Sequence, residues 1–238
     1  DLFGQPADWR SLRELAATED LLTIDDLAQS FGCSLRGERL GHAADVTVTS
    51  FFPSKPLGAY GDGGAIFCES DDKAALYRSL RTHGEGTTRY EVLRTGMNGR
   101  LDSMQAAVLL AKMEVLEEEL AKREEVAAYY DRHLGNAVTI PFRVRDSRSI
   151  WAIYSVLLPD RVDRAVVQER LRENGVPTAV YYPRPLHRQP AYAAVHDGAA
   201  LPVSDRIAER ILALPIHPDL TEAQMQHVCE QVVRAAAG

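Results

Sequence analysis

The chain has 238 residues and a mass of 26.3 kDa, with 45% apolar and 26% charged residues, 16 glycines and 12 prolines. That composition belongs to a folded globular protein and excludes collagen-like and low-complexity chains. A formal charge of −7 excludes a general electrostatic grip on nucleic acid or anionic membrane, so a phosphate-bearing ligand needs a local site.

Trp9 to Thr18 carries apolar residues at helical spacing (Leu12, Leu15, Ala16), with Asp8 placed as an N-cap. Leu21 to Leu27 is a short apolar run that ends in two acids. Asp45 to Phe52 is rich in Val, Thr and Phe and predicts a strand. Gly61 to Gly64 predicts a tight turn, and Ala65 to Cys68 a short strand. Asp71 to Thr82 predicts a helix capped by Ser70 or Asp71. Strands separated by helices predict an α/β layer architecture.

Residues 84–100 are rich in Gly, Thr and Arg and predict a functional loop. A long helix follows to about Leu134, with Asp102 as N-cap and Gln105 completing a capping-box-like pair. The acids Glu114, Glu117, Glu118 and Glu119 fit a solvated helix face. Ile150 to Leu158 predicts a strand. Asp163 to Asn174 predicts an amphipathic helix stopped by Gly175 and Pro177. Thr178 to Pro190 predicts an extended Pro-rich segment. Helices over Val203 to Leu212 and Thr221 to Ala236 complete a second, α+β domain.

The longest strictly apolar stretches, such as Ala106 to Ala111, are about a third of what a bilayer span needs. Cys33, Cys68 and Cys229 form neither a zinc spacing nor a disulfide framework, and suggest a reducing cytoplasm without a metal site. The chain opens Asp1-Leu2-Phe3-Gly4-Gln5-Pro6 without an initiator Met, which reads as the interior of a longer protein.

Ser50-Phe51-Phe52-Pro53-Ser54-Lys55-Pro56-Leu57-Gly58 sets a lysine between prolines just after a predicted strand. A free lysine has a pKa of about 10.4, so only about 1 in 2500 is neutral and nucleophilic at neutral pH. Burial or nearby positive charge lowers that value and makes an amine that forms Schiff bases. Alone, the stretch fits equally a turn lysine with no chemical task. Upstream, Ile24-Asp25-Asp26-Leu27-Ala28-Gln29 ends a strand with paired acids. Carboxylates at the C-terminal edge of an α/β sheet sit where such folds bind ligands. A protonated pyridine nitrogen is one partner for such an acid, and a cap on the next helix is the plain alternative. An acid for a pyridinium together with a Schiff-base lysine is the arrangement that pyridoxal phosphate needs.

Asp25-Asp26-Leu27-Ala28-Gln29 resembles the acid-Asp-x-Ala-Gln motif of the nucleotide-sugar aminotransferases of the DegT/DnrJ/EryC1/StrS family. Ser50 to Gly64 is similar to that family's lysine loop. Gly96-Met97-Asn98-Gly99-Arg100-Leu101-Asp102 with Gln105-Ala106-Ala107 resembles its G-x-N-x-R…D…QAA segment, and Tyr181-Tyr182-Pro183-Arg184-Pro185-Leu186-His187 its Y-P-x-P-x-H segment. The likeness runs from about Leu2 to Pro218.

The resemblance implies a fold-type I pyridoxal phosphate-dependent transferase. Residues 1–100 would be the C-terminal part of the cofactor-binding large α/β/α domain, 101–135 a bridging helix, and 136–238 a small α+β domain. It implies that Lys55 carries pyridoxal 5'-phosphate and moves the proton. Asp26 pairs with the pyridinium, Gln29 lies near the ring hydroxyl and Ser50 bonds the phosphate. Asn98 reaches the phosphate of a neighbouring subunit, so a homodimer with shared active sites is implied. Arg100, Tyr181, Tyr182 and His187 are implied on the substrate side. The Leu186-His187-Arg188-Gln189-Pro190 run is most similar to members that aminate the 3-keto position of UDP-linked 2-acetamido glucuronic acid, with Glu as amino donor, in surface polysaccharide biosynthesis such as that of lipopolysaccharide.

Lys55 departs from a sister branch of dehydratases that carries His at that position. Tyr181 stands where the glucuronate-type members often carry His, and Asp25 where Glu is commoner. The family also has a segment before the position of Leu2, with a Gly-Thr/Ser-x-Ala phosphate loop and an aromatic residue that stacks on the cofactor. Without that segment the chain holds the lysine and the acid but only half of the phosphate cradle. A non-catalytic or incomplete family fragment that acts in binding only is therefore the second reading.

Overall fold

A computed structural model of the protein describes residues 1–237. The chain divides into two compact units. The first comprises Asp1–Leu120 and Arg143–Ala152, the second Ala121–Phe142 and Ile153–Gly238.

In the first unit, helix α1 (Trp9–Thr18) starts where the Asp8 carboxylate accepts from the Ser11 N–H and hydroxyl. Strand β1 (Ile24–Asp26) then pairs in parallel with β4 (Val46–Ser50), and β5 (Gly64–Phe67) pairs antiparallel with β4. Among the described residues these make a three-stranded sheet in the order β1-β4-β5. A second small sheet joins β2 (Ser34–Leu35), β3 (Glu38–Arg39) and β6 (Ser147–Arg148), with β2 central. Glu117 ties β3 and β6 from outside through ion pairs to Arg39 at 2.6 Å and Arg148 at 2.8 Å. Helix α2 (Asp71–Arg81) is capped by the Ser70 hydroxyl, which accepts from the Lys73 N–H. The core gathers Leu27, Cys33, Phe51, Leu57, Leu109 and Leu120. Each fully buried large apolar side chain contributes about 1.5–3 kcal/mol.

The expected long helix is interrupted. Helices α3 (Ser103–Met113) and α4 (Leu116–Leu134) meet at a tightened turn, where the Val115 N–H donates to Lys112 O, three residues back. The expected capping pair is also absent. The Asp102 side chain makes no cap bond, and Gln105 Oε1 accepts instead from the Tyr60 N–H at 2.8 Å. Gly61 to Gly64 is a bend at Gly61 rather than a hydrogen-bonded turn, and it enters β5 at Gly64, which stands opposite Ser50.

In the second unit, β7 (Tyr154–Leu157) pairs antiparallel with β8 (Ile211–Leu214). The expected strand from Ile150 is shorter at its start, since Ile150 and Trp151 fall in the first unit, where the Ile150 N–H is taken by Gly4 O and Trp151 adopts φ 49°. The expected helix to Leu212 ends at Arg210, since Ile211 turns extended (φ −67°, ψ 135°) to pair with β7. Helix α5 (Arg164–Glu173) is capped by Asp163, which accepts from the Ala165 and Val166 N–H groups. Within the Pro-rich segment, Leu186–Arg188 forms a 3-10 turn and Pro190–Ala193 a short helix, α6. Helix α7 (Pro202–Arg210) precedes β8, and α8 (Glu222–Ala236) closes the unit with a Thr221/Gln224 capping box. Tyr130, Tyr154, Leu171, Leu212 and Val232 are fully buried. No helix among the described residues is long and apolar enough to cross a membrane.

Candidate functional site

The two parallel strands β1 and β4 end at the same edge of the sheet, β1 at Asp26 and β4 at Ser50. Side chains alternate along a strand, and register partners share a face. Asp26 is partnered by Val48, so Asp26, Val48 and Ser50 share one face. Asp25, Thr47 and Thr49 share the other, and all three are buried. The period of two thus puts a carboxylate and a hydroxyl together on one face, at the C-terminal edge where α/β sheets bind ligands.

Asp26 is exposed, and its Oδ1 accepts from the Ala28 N–H at 2.9 Å. That bond aims the carboxylate along the chain and leaves the second oxygen open. Ser50 Oγ accepts from the Phe52 N–H at 3.2 Å, so its own O–H proton stays available as a donor.

Lys55 lies on the loop that follows β4. The loop folds back on itself through Lys55 N–H to Phe52 O at 2.9 Å and Ala59 N–H to Phe51 O at 2.8 Å. Gly58 permits the fold: a Cβ there would stand 2.5 Å from Pro53 O. Helix α3 holds the loop from the side. Lys112 Nζ donates to Gly58 O at 2.7 Å and lies 5.2 Å from the centre of the Tyr60 ring, while Gln105 takes the Tyr60 N–H. Lys112 is a supporting residue that motif reading missed, and Gln105, read there as a capping partner, supports the loop instead. A signal was present, because Lys112 is the lone charge in the apolar stretch Ala106 to Met113.

Asp25 sets the electrostatics beneath this face. Its carboxylate is fully buried, and neither oxygen has a hydrogen-bond partner among the described residues. Burial raises its pKa from 3.8 to about 6; the Asp26 charge adds to the rise and the α-amino group of Asp1 opposes it. Burial also pushes the neighbouring Cys33 thiol up to about 12, which leaves it a protonated core residue.

The model of the DegT/DnrJ/EryC1/StrS aminotransferase family matches residues 1–233. The chain belongs to this family. It is 45% identical, over 96% of its length, to the UDP-2-acetamido-2-deoxy-3-oxo-D-glucuronate aminotransferase of Pseudomonas aeruginosa, and it spans 62% of that relative. The structure of a DegT DnrJ EryC1 StrS aminotransferase from Brucella abortus superposes with a TM-score of 0.92 at 40% identity, covering 98% of this chain and 62% of the other. An ntda structure from Bacillus subtilis with bound cofactor pmp superposes with a TM-score of 0.89 at 28% identity, over all of this chain and 55% of the other. The fold is that of the pyridoxal phosphate-dependent aminotransferases, and the family depends on that cofactor.

The residues at the sheet edge fit the family cofactor. The chemistry of the donor set matches it: an exposed carboxylate for a ring cation, a hydroxyl whose proton is free for a phosphate oxygen, and a primary amine on a Gly58-dependent loop. The other residues expected at the site are less tightly drawn in. Gln29 Oε1 accepts from the Phe3 N–H at 2.8 Å. Asn98 is exposed and bridges to Thr82 across the loop that begins at His83. Arg100 is exposed, and no ion pair holds it among the described residues.

Tyr181, Tyr182 and His187 belong to the second unit. Both tyrosines are exposed, and Tyr182 holds a left-handed backbone at φ 58°. An aromatic residue there is strained, and such strain concentrates at functional positions. His187 sits on the 3-10 turn, with 12% of its side chain exposed.

Proposed function

We propose that this chain carries the lysine-bearing part of an aminotransferase for a nucleotide-linked keto-sugar. The substrate of this reading is UDP-linked 3-keto-2-acetamido glucuronic acid and the product its 3-amino sugar, with Glu as amino donor. The observation that carries the reading is the shared sheet edge: Asp26 and Ser50 on one face, with the folded Lys55 loop leaving β4 beside them. The name of the 45% identical relative supports the choice of sugar.

Pyridoxal 5'-phosphate, when bound, supplies an electron sink for carbanion charge. Lys55 Nζ would hold it covalently and, in each half-reaction, move a proton on or off the carbon that bears the transferred nitrogen. The Asp26 carboxylate holds the ring nitrogen protonated, and Gln29 lies near the ring hydroxyl. The Ser50 hydroxyl donates to a phosphate oxygen. Asn98 serves the phosphate of a second subunit, so the working unit is a homodimer. The Arg100 guanidinium offers a two-pronged fork to the sugar carboxylate. Tyr181, Tyr182 and His187 bound the sugar. A cytoplasmic place of action suits the free thiols of Cys33, Cys68 and Cys229.

The test has two stages. Pyridoxal phosphate is added to the protein, borohydride follows, and the adduct is mapped by mass spectrometry. The reading requires an adduct on Lys55 that is absent in Lys55→Ala. The pyridoxal form is then offered UDP- and dTDP-linked aminosugars, and amino-group transfer is followed by absorbance. Nucleotide-sugar binding with no adduct supports the binding-only reading, in keeping with a chain that spans 62% of its relative.

A further inference from the structure

Asp205 on α7 gathers the 3-10 turn of the second unit. Its Oδ2 accepts from Arg188 Nη2 at 2.7 Å. Its Oδ1 lies 3.2 Å from His187 Nε2. That oxygen is shielded from solvent and accepts no well-aligned hydrogen bond, and His187 Nε2 at 3.2 Å is the ring nitrogen that stands against it. A buried carboxylate oxygen without a donor is costly, and an N–H on Nε2 is the group within reach. His187 Nδ1 has no hydrogen-bond partner among the described residues.

The neighbouring His196 gives an internal reference. Its ring centre lies 5.3 Å from that of His187, and its Nε2 stands 2.9 Å from Ala199 O. A carbonyl oxygen only accepts, so His196 Nε2 must carry a hydrogen, although its Nδ1 also faces a carboxylate, Asp197 Oδ1 at 3.5 Å.

We propose that Asp205 is a positioning residue that sets the tautomer of His187. With the hydrogen on Nε2 facing Asp205, Nδ1 carries a lone pair and becomes an acceptor. The group it recognises is a hydrogen-bond donor: a sugar hydroxyl or an acetamido N–H. An ether or ketone oxygen at that place finds no partner. Arg188, on the other oxygen, fixes the carboxylate so that one acceptor is left for the ring. This inference rests on the nucleotide-sugar reading for its ligand, but the tautomer itself does not depend on it.

The test is long-range proton–nitrogen NMR on the 15N-labelled chain, at a pH above the ordinary histidine range. The expected wild-type result is the Nε2–H tautomer at His187. A dominant Nδ1–H tautomer overturns the proposal and needs no variant. In Asp205→Ala the tautomer ratio at His187 is expected to fall about tenfold, while His196 keeps its Nε2–H form. Asp205→Asn retains an oxygen acceptor and is expected to restore the ratio. An unchanged ratio in Asp205→Ala overturns the assignment. UDP-N-acetylglucosamine is then titrated in, and the His187 Nδ1 resonance is expected to shift. Shifts elsewhere with His187 silent overturn the acceptor role. No shift anywhere counts against the nucleotide-sugar reading, and the tautomer data still decide what Asp205 does.

Discussion

Replacing Asp25 by Asn removes a charge that the fold holds away from solvent and from any hydrogen-bond donor. The carboxyl rises from 3.8 to about 6 on folding, chiefly through burial. A tenfold change in proton affinity corresponds to about 1.4 kcal/mol, so the ionised group costs the folded state about 3 kcal/mol. The sign follows from proton counting. Below the unfolded value both states hold the proton and no penalty exists. As pH climbs to about 6 the unfolded chain releases its proton first, and wild-type stability falls. Above that value the penalty is constant. Asp25→Asn lacks this loss, so its advantage over wild type should grow by about 3 kcal/mol between about pH 3 and pH 7. The unmet hydrogen-bonding needs of the buried amide add a pH-independent offset, so the change with pH carries the information. Urea unfolding of both proteins across that range measures it. A difference between them that stays constant with pH would refute the reasoning.

Three further substitutions probe the scaffold. Lys112→Met removes the donor to Gly58 O, and amide exchange at Lys55 and Ala59 should accelerate about tenfold; unchanged exchange means that α3 does not secure the lysine loop. Gly84→Ala drives a Cβ into the Arg94 carbonyl oxygen at a residue with φ +79°, and urea unfolding should show a loss of more than about 2 kcal/mol. Tyr130→Phe leaves the part-buried Pro215 carbonyl without its 2.8 Å donor, and the same measurement should read a cost of about 1 kcal/mol.

Much of the sheet edge is legible without coordinates. The alternation in Val46 to Ser50 and the paired acids at Asp25 and Asp26 already imply one inward and one outward carboxylate. Which acid goes inward is not legible, because either register satisfies so short a strand. The helix caps at Asp8 and Ser70 are readable because capping is local. Gln105 misleads for the opposite reason. Its spacing to Asp102 fits a capping pair, but a distant backbone N–H at Tyr60 takes its oxygen. The apolar run Ile211 to Leu214 has no polar residue to mark a period, so helix and strand cannot be separated there.

The sequence by itself determined the chemistry on offer: a lysine framed by prolines, acids at a strand end, and a chain too acidic for a general polyanion binder. Those are properties of residue type and near spacing, which the chain carries wherever it folds. Tertiary structure alone decided which groups meet. It paired Asp26 with Val48 through the β1–β4 register, put Lys112 on the Gly58 carbonyl and brought Asp205 against His187. Each of these contacts joins residues far apart in the chain, and their meeting is fixed by strand register and helix packing that no local spacing encodes.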